Sequence, residues 1–373
     1  MKKKILISLS YYYPYISGLS EYARRLSRSL VGSDLDVDVI CNRHGKSLPF
    51  IESIENVRVF RFDPILKINK LLFSLDMVLW SFKKINEYDV LIVNLPYPEA
   101  IFVMLAGKLY KKRIITVFHC DINLGNSLKE RLLTFFAKAI NVFCLLFSDV
   151  IVVNSLDYSK NVDILRIFAY KCTEIFPIIG VKNNRHAVIP KSSSALRLGY
   201  LGRISSEKNI QTLIEAVNAY KDGSIEFTIA GPTKGLGEDL YVQGVIQMVS
   251  ISKNRINITG LLTEQEIENF FSKIDFLVLA SNNATESFGI VQVEAMLSGV
   301  PVIVSDLPGV RVPVLKTGAG YLVSQYNNPK EWVKAFRFAW ANRDNLNKKT
   351  NIARTVFDPR RELTKWKRII YEI

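Results

Sequence analysis

The sequence predicts an α/β protein built as two parallel-sheet domains in series, and three observations predict it. Short apolar runs that end in turn residues alternate with helix-length amphipathic segments from the first residues onward. The alternation breaks once, in a polar stretch before residue 195, and then begins again. A chain of 373 residues suits two domains of roughly 150 residues, each large enough to bury a core. Alternation of this kind implies parallel strands, because a crossover helix must carry the chain back before the next strand can pair in the same direction.

In chain order, residues 4–10 (KILISLS) read as the first strand and a helix begins near Ser17. Strands follow at VDVIC (37–41), VRVFRF (57–62), DVLIVN (89–94), RIITVFH (113–119) and DVIVVN (149–154). Ile65, Ile68, Leu72, Leu75, Leu79 and Phe82 recur at helical spacing, which predicts a helix whose apolar stripe faces the core, with Lys67, Lys70 and Lys84 on its back. The segment Val181–Ser194 is polar, with Pro190 and three serines, and marks the boundary. The second series runs LRLGYLG (196–202), a helix from Asn209, IEFTIAG (225–231), a helix near Leu240, INITG (256–260), a helix from Thr263, DFLVLAS (275–281), a helix after Gly289, PVIVSD (301–306) and GYLVS (320–324). Leu363, Trp366 and Ile370 give the last segment helical spacing. The expected domains are 1–180 and 195–355, with 356–373 as a C-terminal helix.

Composition removes several classes. Hydrophobic residues at 49% and charged residues at 23% describe ordinary globular material. Cys41, Cys120, Cys144 and Cys172 lie far apart without metal spacing, and the apolar run after the Lys2–Lys4 cluster is too short for a secretory leader, so a reducing cytoplasm is expected. Even the apolar stretch 132–153 is broken by Lys138, Asn141 and Asp149, so no membrane-spanning helix is expected. The formal charge of +14 asks for an anionic partner, whether nucleic acid, a membrane surface or a phosphorylated substrate. The excess divides equally between the two halves, which argues against one basic nucleic-acid-binding domain.

The densest chemical signal is Glu286-Ser287-Phe288-Gly289-Ile290 leading to Glu294 and closing at Pro301, after a buried strand and opening a helix. A helix start offers unpaired N–H groups to an anion. Glu286 and Glu294 lie a little over two turns apart, so both carboxylates can accept hydrogen bonds from a hydroxyl-rich ligand on one side. With the upstream segment Gly199-Tyr-Leu-Gly202-Arg203-Ile-Ser-Ser-Glu-Lys208-Asn, this pattern resembles the retaining glycosyltransferases of the GT-B fold that carry an E-x7-E motif, family 4 among them. The resemblance covers essentially the whole chain and implies two Rossmann-like domains facing across a deep cleft, acceptor on the first and nucleotide-sugar on the second, with the last helix crossing back to the first domain.

The resemblance also implies roles. Arg203 and Lys208 would hold the donor diphosphate, where fixed cations stabilise the charge that grows on the leaving phosphate. Glu286 would orient sugar hydroxyls and Glu294 the ribose, with Gly202, Ser287 and the backbone N–H groups of Phe288, Gly289 and Ile290 against sugar or phosphate. His119, at a strand's carboxyl end, would meet the transferred sugar near the leaving group. Gly18 would let backbone approach the ligands, although the family has two glycines where this chain has Ser17-Gly18. Asp121 is displaced by one residue from the acid that usually follows the histidine, and Thr259–Leu262 would pack the base. Asp34-Leu-Asp36-Val-Asp38 imitates a metal-binding DxD, but its acids precede a strand and alternate with its apolar residues, so no metal cofactor is expected.

The implied reaction moves a hexose from GDP-mannose or a UDP-sugar to a glycan acceptor, lipid-linked, in bacterial O-antigen or capsule synthesis. The basic groups Lys67, Lys70 and Lys84, Lys108 to Arg113, and Lys129, Arg131 and Lys138 would hold the enzyme peripherally on the anionic inner face of the cytoplasmic membrane. A non-hydrolysing sugar-nucleotide epimerase on the same fold is the alternative, and nucleic-acid binding the remote one.

Overall fold

The computed structural model describes residues 2–32, 34–68, 71–122, 127–180, 195–233 and 238–372. The expected boundary segment Val181–Ser194, with His186, lies outside the described residues, as do Lys70 and the side chain of Lys67. By contact the chain divides into two units, Met1–Ile178 with Pro359–Ile373, and Ile179–Asp358.

The first unit is wound on an eight-stranded sheet. Its strands are β1 (Lys3–Ser8), β2 (Leu35–Asn42), β3 (Ile51–Ile54), β4 (Val57–Phe62), β7 (Val90–Leu95), β8 (Arg113–Phe118), β9 (Val150–Val153) and β10 (Cys172–Glu174), with a separate two-stranded ribbon of β5 (Leu66–Ile68) and β6 (Leu71–Phe73). The spatial order is β10-β9-β8-β7-β1-β2-β4-β3, parallel except where β3 runs against β4. Every residue of β7 is buried, the near-continuous apolar run expected of a strand covered on both faces. From β1 the chain first winds outward to β2 and β4 and then returns to pair β7 on the other side, so β1 and β7 flank the point where strand order reverses. Ligands in open α/β sheets bind outside the carboxyl ends of the strands at such a point.

The second unit repeats the plan with six parallel strands: β11 (Ala195–Leu201), β12 (Ser224–Ala230), β13 (Arg255–Gly260), β14 (Phe276–Leu279), β15 (Val302–Ser305) and β16 (Gly320–Val323), in the order β13-β12-β11-β14-β15-β16. Here the reversal lies between β11 and β14. The helices begin close to the expected residues, at Gly18 behind a Ser17 capping box, at Ile210, at Asp239, at Glu264 behind a Thr263 capping box, and at Ile290.

The C-terminal helix Pro359–Tyr371 belongs to the first unit. Trp366 and Ile370 are fully buried, and Glu362, 2% exposed, accepts from the Phe176 backbone N–H at 2.8 Å. Lys3 Nζ and Arg113 Nε donate to the carbonyls of Ile370 and Ile369, placing cations where the helix leaves carbonyls unpaired.

Three expectations need correction. Residues 65–82 are not one helix: β5 and β6 form an antiparallel ribbon, and only Leu75–Lys84 is helical. Its buried residues are Met77, Val78 and Ser81, while Leu75 and Leu79, assigned to the core face, are 46% and 49% exposed. Periodicity shows that a stripe exists but not which way it turns. Asp36 and Asp38 lie inside β2 rather than before it; Asp38 is gripped by Arg58 and by the Tyr88 hydroxyl at 2.6 Å, and Asp34 holds Lys367 of the last helix at 3.2 Å. Several of the basic residues are also paired, Lys84 with Glu87, Lys108 with Asp149 and Lys138 with Asp121.

Candidate functional site

In the second unit the carboxyl ends of β11 and β14 feed the two loops that carry the expected donor residues. The turn after β11 is held from within: Tyr200 donates its hydroxyl to the Arg203 carbonyl at 2.6 Å, and the Gly202 N–H donates to Ala230 at 2.9 Å. Neighbouring backbone leaves no space here, since a Cβ on Gly231 would lie 1.8 Å from the Gly202 oxygen. Glycine at 231 is therefore a requirement of the fold, because two strand ends pass within backbone contact there.

Lys208 and Glu286, 78 residues apart in sequence, meet directly through Nζ and Oε2, with only 17% and 15% of their side chains exposed. Ser281 donates its hydroxyl to the same Glu286 oxygen at 3.3 Å. Arg203 pairs with Glu207 at 2.8 Å, and the Glu207 carbonyl accepts the Asn282 N–H at 3.0 Å. Asn282 Nδ2 in turn reaches the Ser206 carbonyl at 3.3 Å, so the loops 202–209 and 280–289 are stitched into one structure. The result places two cations and two carboxylates at one strand edge, each cation held by an acid. An entering diphosphate would compete with those acids for Lys208 and Arg203, whose fixed position lowers the cost of binding an anion there.

Gly289 caps the helix Ile290–Leu297 in the left-handed region at φ 71°, and a Cβ there would lie 2.7 Å from Leu279 Cδ2. Gln292, fully buried, donates Nε2 to the carbonyls of Phe288 and Val310 and so sets the entry into the helix. Phe288 is 1% exposed and packs edge-on against Phe357 at 6.1 Å; its side chain belongs to the core. Ser287 is buried, and Glu294 lies on the half-buried side of the helix.

In the first unit His119 follows β8 and is buried. Asn94 gives its Nδ2 to the Ser8 carbonyl, which leaves Oδ1 to accept from His119 Nε2 at 2.9 Å. That tautomer makes Nδ1 the ring's acceptor. The Tyr22 ring stands edge-on to the imidazole at 4.8 Å and 85°. Burial pushes the His119 pKa down to about 3, so the ring is neutral at physiological pH. A neutral imidazole can take a hydroxyl hydrogen bond but supplies no charge to a phosphate. Asp121 turns away to Lys138 and to its own Ile122 N–H. Gly18 begins its helix in open space, with nothing within 4 Å of where a Cβ would stand, so the fold itself does not demand glycine there. Among the described residues no three His, Cys, Asp or Glu side chains gather so as to hold a metal ion, and no helix is long and apolar enough to cross a membrane.

Sequence reasoning passes over the partners: Glu207 and Ser281 beside the acid–base pair, Asn94 and Tyr22 around His119, and Gln292 behind Gly289. Asn94 alone leaves a signal, a polar residue next to last in an otherwise apolar strand.

Comparison with known proteins completes the assignment. Residues 181–356 match the model of "Glycosyl transferases group 1" and residues 16–162 that of "Glycosyltransferase Family 4". An uncharacterized glycosyltransferase of Methanocaldococcus jannaschii is 23% identical over 329 residues, covering 79% of this chain and 78% of its own. A D-inositol 3-phosphate glycosyltransferase of Corynebacterium urealyticum is 29% identical over 167 residues, 41% of this chain and 37% of its own. Among solved structures, sucrose-phosphate synthase of Thermosynechococcus elongatus superimposes with a TM-score of 0.78 at 16% identity, covering 99% of this chain and 98% of that one. Anabaena HepE, solved in complex with UDP, gives 0.76 at 17% identity over the whole of both chains. Two parallel-sheet units, matched in turn by the two models that together span most of the sequence, place this chain among the GT-B-fold glycosyltransferases, in the group 1 and family 4 lineage.

Proposed function

We propose that the protein transfers a hexosyl group, with retention, from a nucleoside-diphosphate sugar to a hydroxyl of a lipid-linked glycan, working without a metal cofactor on the inner face of a bacterial cytoplasmic membrane in surface polysaccharide synthesis. The observation that carries the reading is the Lys208–Glu286 pair beside Arg203 at the carboxyl edge between β11 and β14. The HepE structure with UDP supports a nucleotide donor for a chain of this fold, with UDP- and GDP-linked hexoses as the candidate donors.

In this reading the bond from the anomeric carbon to the β-phosphate oxygen breaks and a bond to the acceptor oxygen forms on the same face. The acceptor proton leaves with the phosphate oxygen, whose basicity rises as its bond to carbon lengthens. Lys208 and Arg203 take the developing diphosphate charge, a contribution that is stronger in the transition state than before it. Glu286, relieved of Lys208 by the incoming phosphate, accepts hydrogen bonds from sugar hydroxyls, and Glu294 from the ribose. Neutral His119 holds a sugar hydroxyl through Nδ1.

Incubation with GDP-mannose, UDP-glucose, UDP-galactose and UDP-N-acetylhexosamines in the presence of lipid-linked acceptors tests this directly. One donor is expected to yield a product with the donor's anomeric configuration by NMR, undiminished by EDTA. Inverted product, or activity abolished by EDTA and restored by a divalent ion, contradicts the reading.

A further inference from the structure

Three helices lie side by side in the first unit: Leu75–Lys84, Ala100–Leu109 and Leu128–Phe147, the middle one resting on β7 and β8. The long helix bounds a cavity of about 220 Å³ whose walls are hydrocarbon from Leu72, Phe73, Leu133, Phe136, Ala137 and Ile140. An apolar cavity of roughly 150 Å³ is enough for a benzene ring, so this one has room for a length of alkyl chain. Tyr97, Pro98 and Ile122 also line it. They lie just past the carboxyl ends of β7 and β8, Ile122 three residues after His119, so the cavity reaches the edge where the acceptor is expected.

One polar side chain of its wall is unsatisfied among the described residues. Asn141 lines the cavity, is 1% exposed, and its Nδ2 has no hydrogen-bond partner among the described residues. The Tyr97 hydroxyl, by contrast, is spent on Ser8 at 2.7 Å. A buried amide left unpaired is costly, and an apolar ligand carrying an acceptor oxygen would satisfy it.

The outer side of the same helix is apolar as well. Leu128, Leu132, Phe135, Ala139, Val142 and Leu146 follow one another at steps of four and three residues and are all exposed, Leu128 at 86% and Phe135 at 66%. Such a stripe on a solvent face marks an interaction surface. Lys129 and Arg131 are exposed beside it, in a chain of net charge +14, which suits an anionic lipid layer. Pairing with a second copy would cover the stripe but would leave the cavity and Asn141 without a ligand.

We propose that the cavity is the binding site for the hydrocarbon tail of the lipid-linked acceptor, entered from the membrane on which the outward stripe rests. The inference builds on the lipid-linked acceptor proposed above. Alkyl phosphates serve as probes: each buried methylene strengthens binding about fourfold, so decyl phosphate should bind at least tenfold more tightly than butyl phosphate by calorimetry. Ala137→Trp should weaken decyl phosphate at least tenfold, and the milder Leu133→Phe by a smaller factor should the first variant not fold. A decyl phosphate with a terminal diazirine should label Leu133, Phe136 or Ile140. Equal affinity for the two phosphates, label confined to Leu132, Phe135 and Val142, or a dimer that shields the stripe and leaves the cavity unlabelled overturns the proposal. UDP and GDP thermal shifts on the same samples separate the two levels: nucleotide binding that persists while the tail site fails removes only this inference, whereas its absence in the wild type removes the reading beneath it.

Discussion

The two units share a winding plan and differ in how they meet the world. The second concentrates charge: at the reversal between β11 and β14 it sets Lys208 on Glu286 and Arg203 on Glu207, with the loops tied together by Asn282. The first concentrates apolar surface: its histidine is neutral and held between Tyr22 and Asn94, and its long helix turns leucines and phenylalanines outward. One scaffold thus presents two kinds of surface, a charged edge in the second unit and a largely apolar face in the first, which suit the diphosphate and the lipid-linked acceptor proposed above. What the parallel sheet supplies in both is the same edge.

The sharpest way to break this contrast is to remove charge from the second unit. Glu286→Ala or Lys208→Ala should lower kcat by about 10²-fold or more while leaving circular dichroism unchanged, since each group is more than a tenth solvated and neither builds the core. Near wild-type turnover in either would dissolve the charged site. In the first unit the corresponding weak point is packing. Trp366→Ala should cost about 3–5 kcal/mol in denaturant unfolding, because a fully buried indole leaves a cavity between the last helix and the Tyr22 helix.

Gly289→Ala tests the backbone of the second unit. A residue with a Cβ at φ 71°, crowded by Leu279, should lose about 1–3 kcal/mol of stability, with activity falling alongside. The smallest structural effect belongs to Gly18→Ala, whose Cβ would meet nothing within 4 Å; the melting temperature should barely move, so any rise in KM reports a ligand at that loop.

Protonation gives a further contrast. The folded-state pKa of His119 lies near 3, below its unfolded value of about 6.5, so between those limits the unfolded chain holds a proton that the folded one does not. Stability should therefore fall as pH drops from about 6.5 toward 3, and His119→Asn should flatten that slope. The kcat profile between pH 5 and 8 should carry no limb from this residue.

The parts legible in the sequence share a physical reason. Buried parallel strands are read from runs such as VLIV in β7, apolar without a break, and caps such as Ser17 and Thr263 announce helices by local chemistry. The loop proposed to face the donor stands out in the sequence because a turn that must carry glycine, such as Gly289, fixes its neighbours in sequence too. The stripe at Leu75 and Leu79 reads inside out, because apolar spacing is identical whether a helix buries that face or offers it to a membrane. The short strands β3, β5 and β6 escape notice since three or four residues hold too little pattern to stand apart from a loop or a helix turn. Partners such as Ser281 and Tyr22 come from tertiary folding, and no local rule marks them.

In the proposed function the edge between β11 and β14 binds a nucleoside diphosphate through Lys208. Calorimetric titration of UDP and GDP into the wild-type protein and into Lys208→Ala tests it most directly. Saturable binding of one of the two nucleotides to the wild type is expected, with a loss of at least tenfold in the variant. Wild-type protein that binds neither, or a variant that binds as tightly as the wild type, would contradict it.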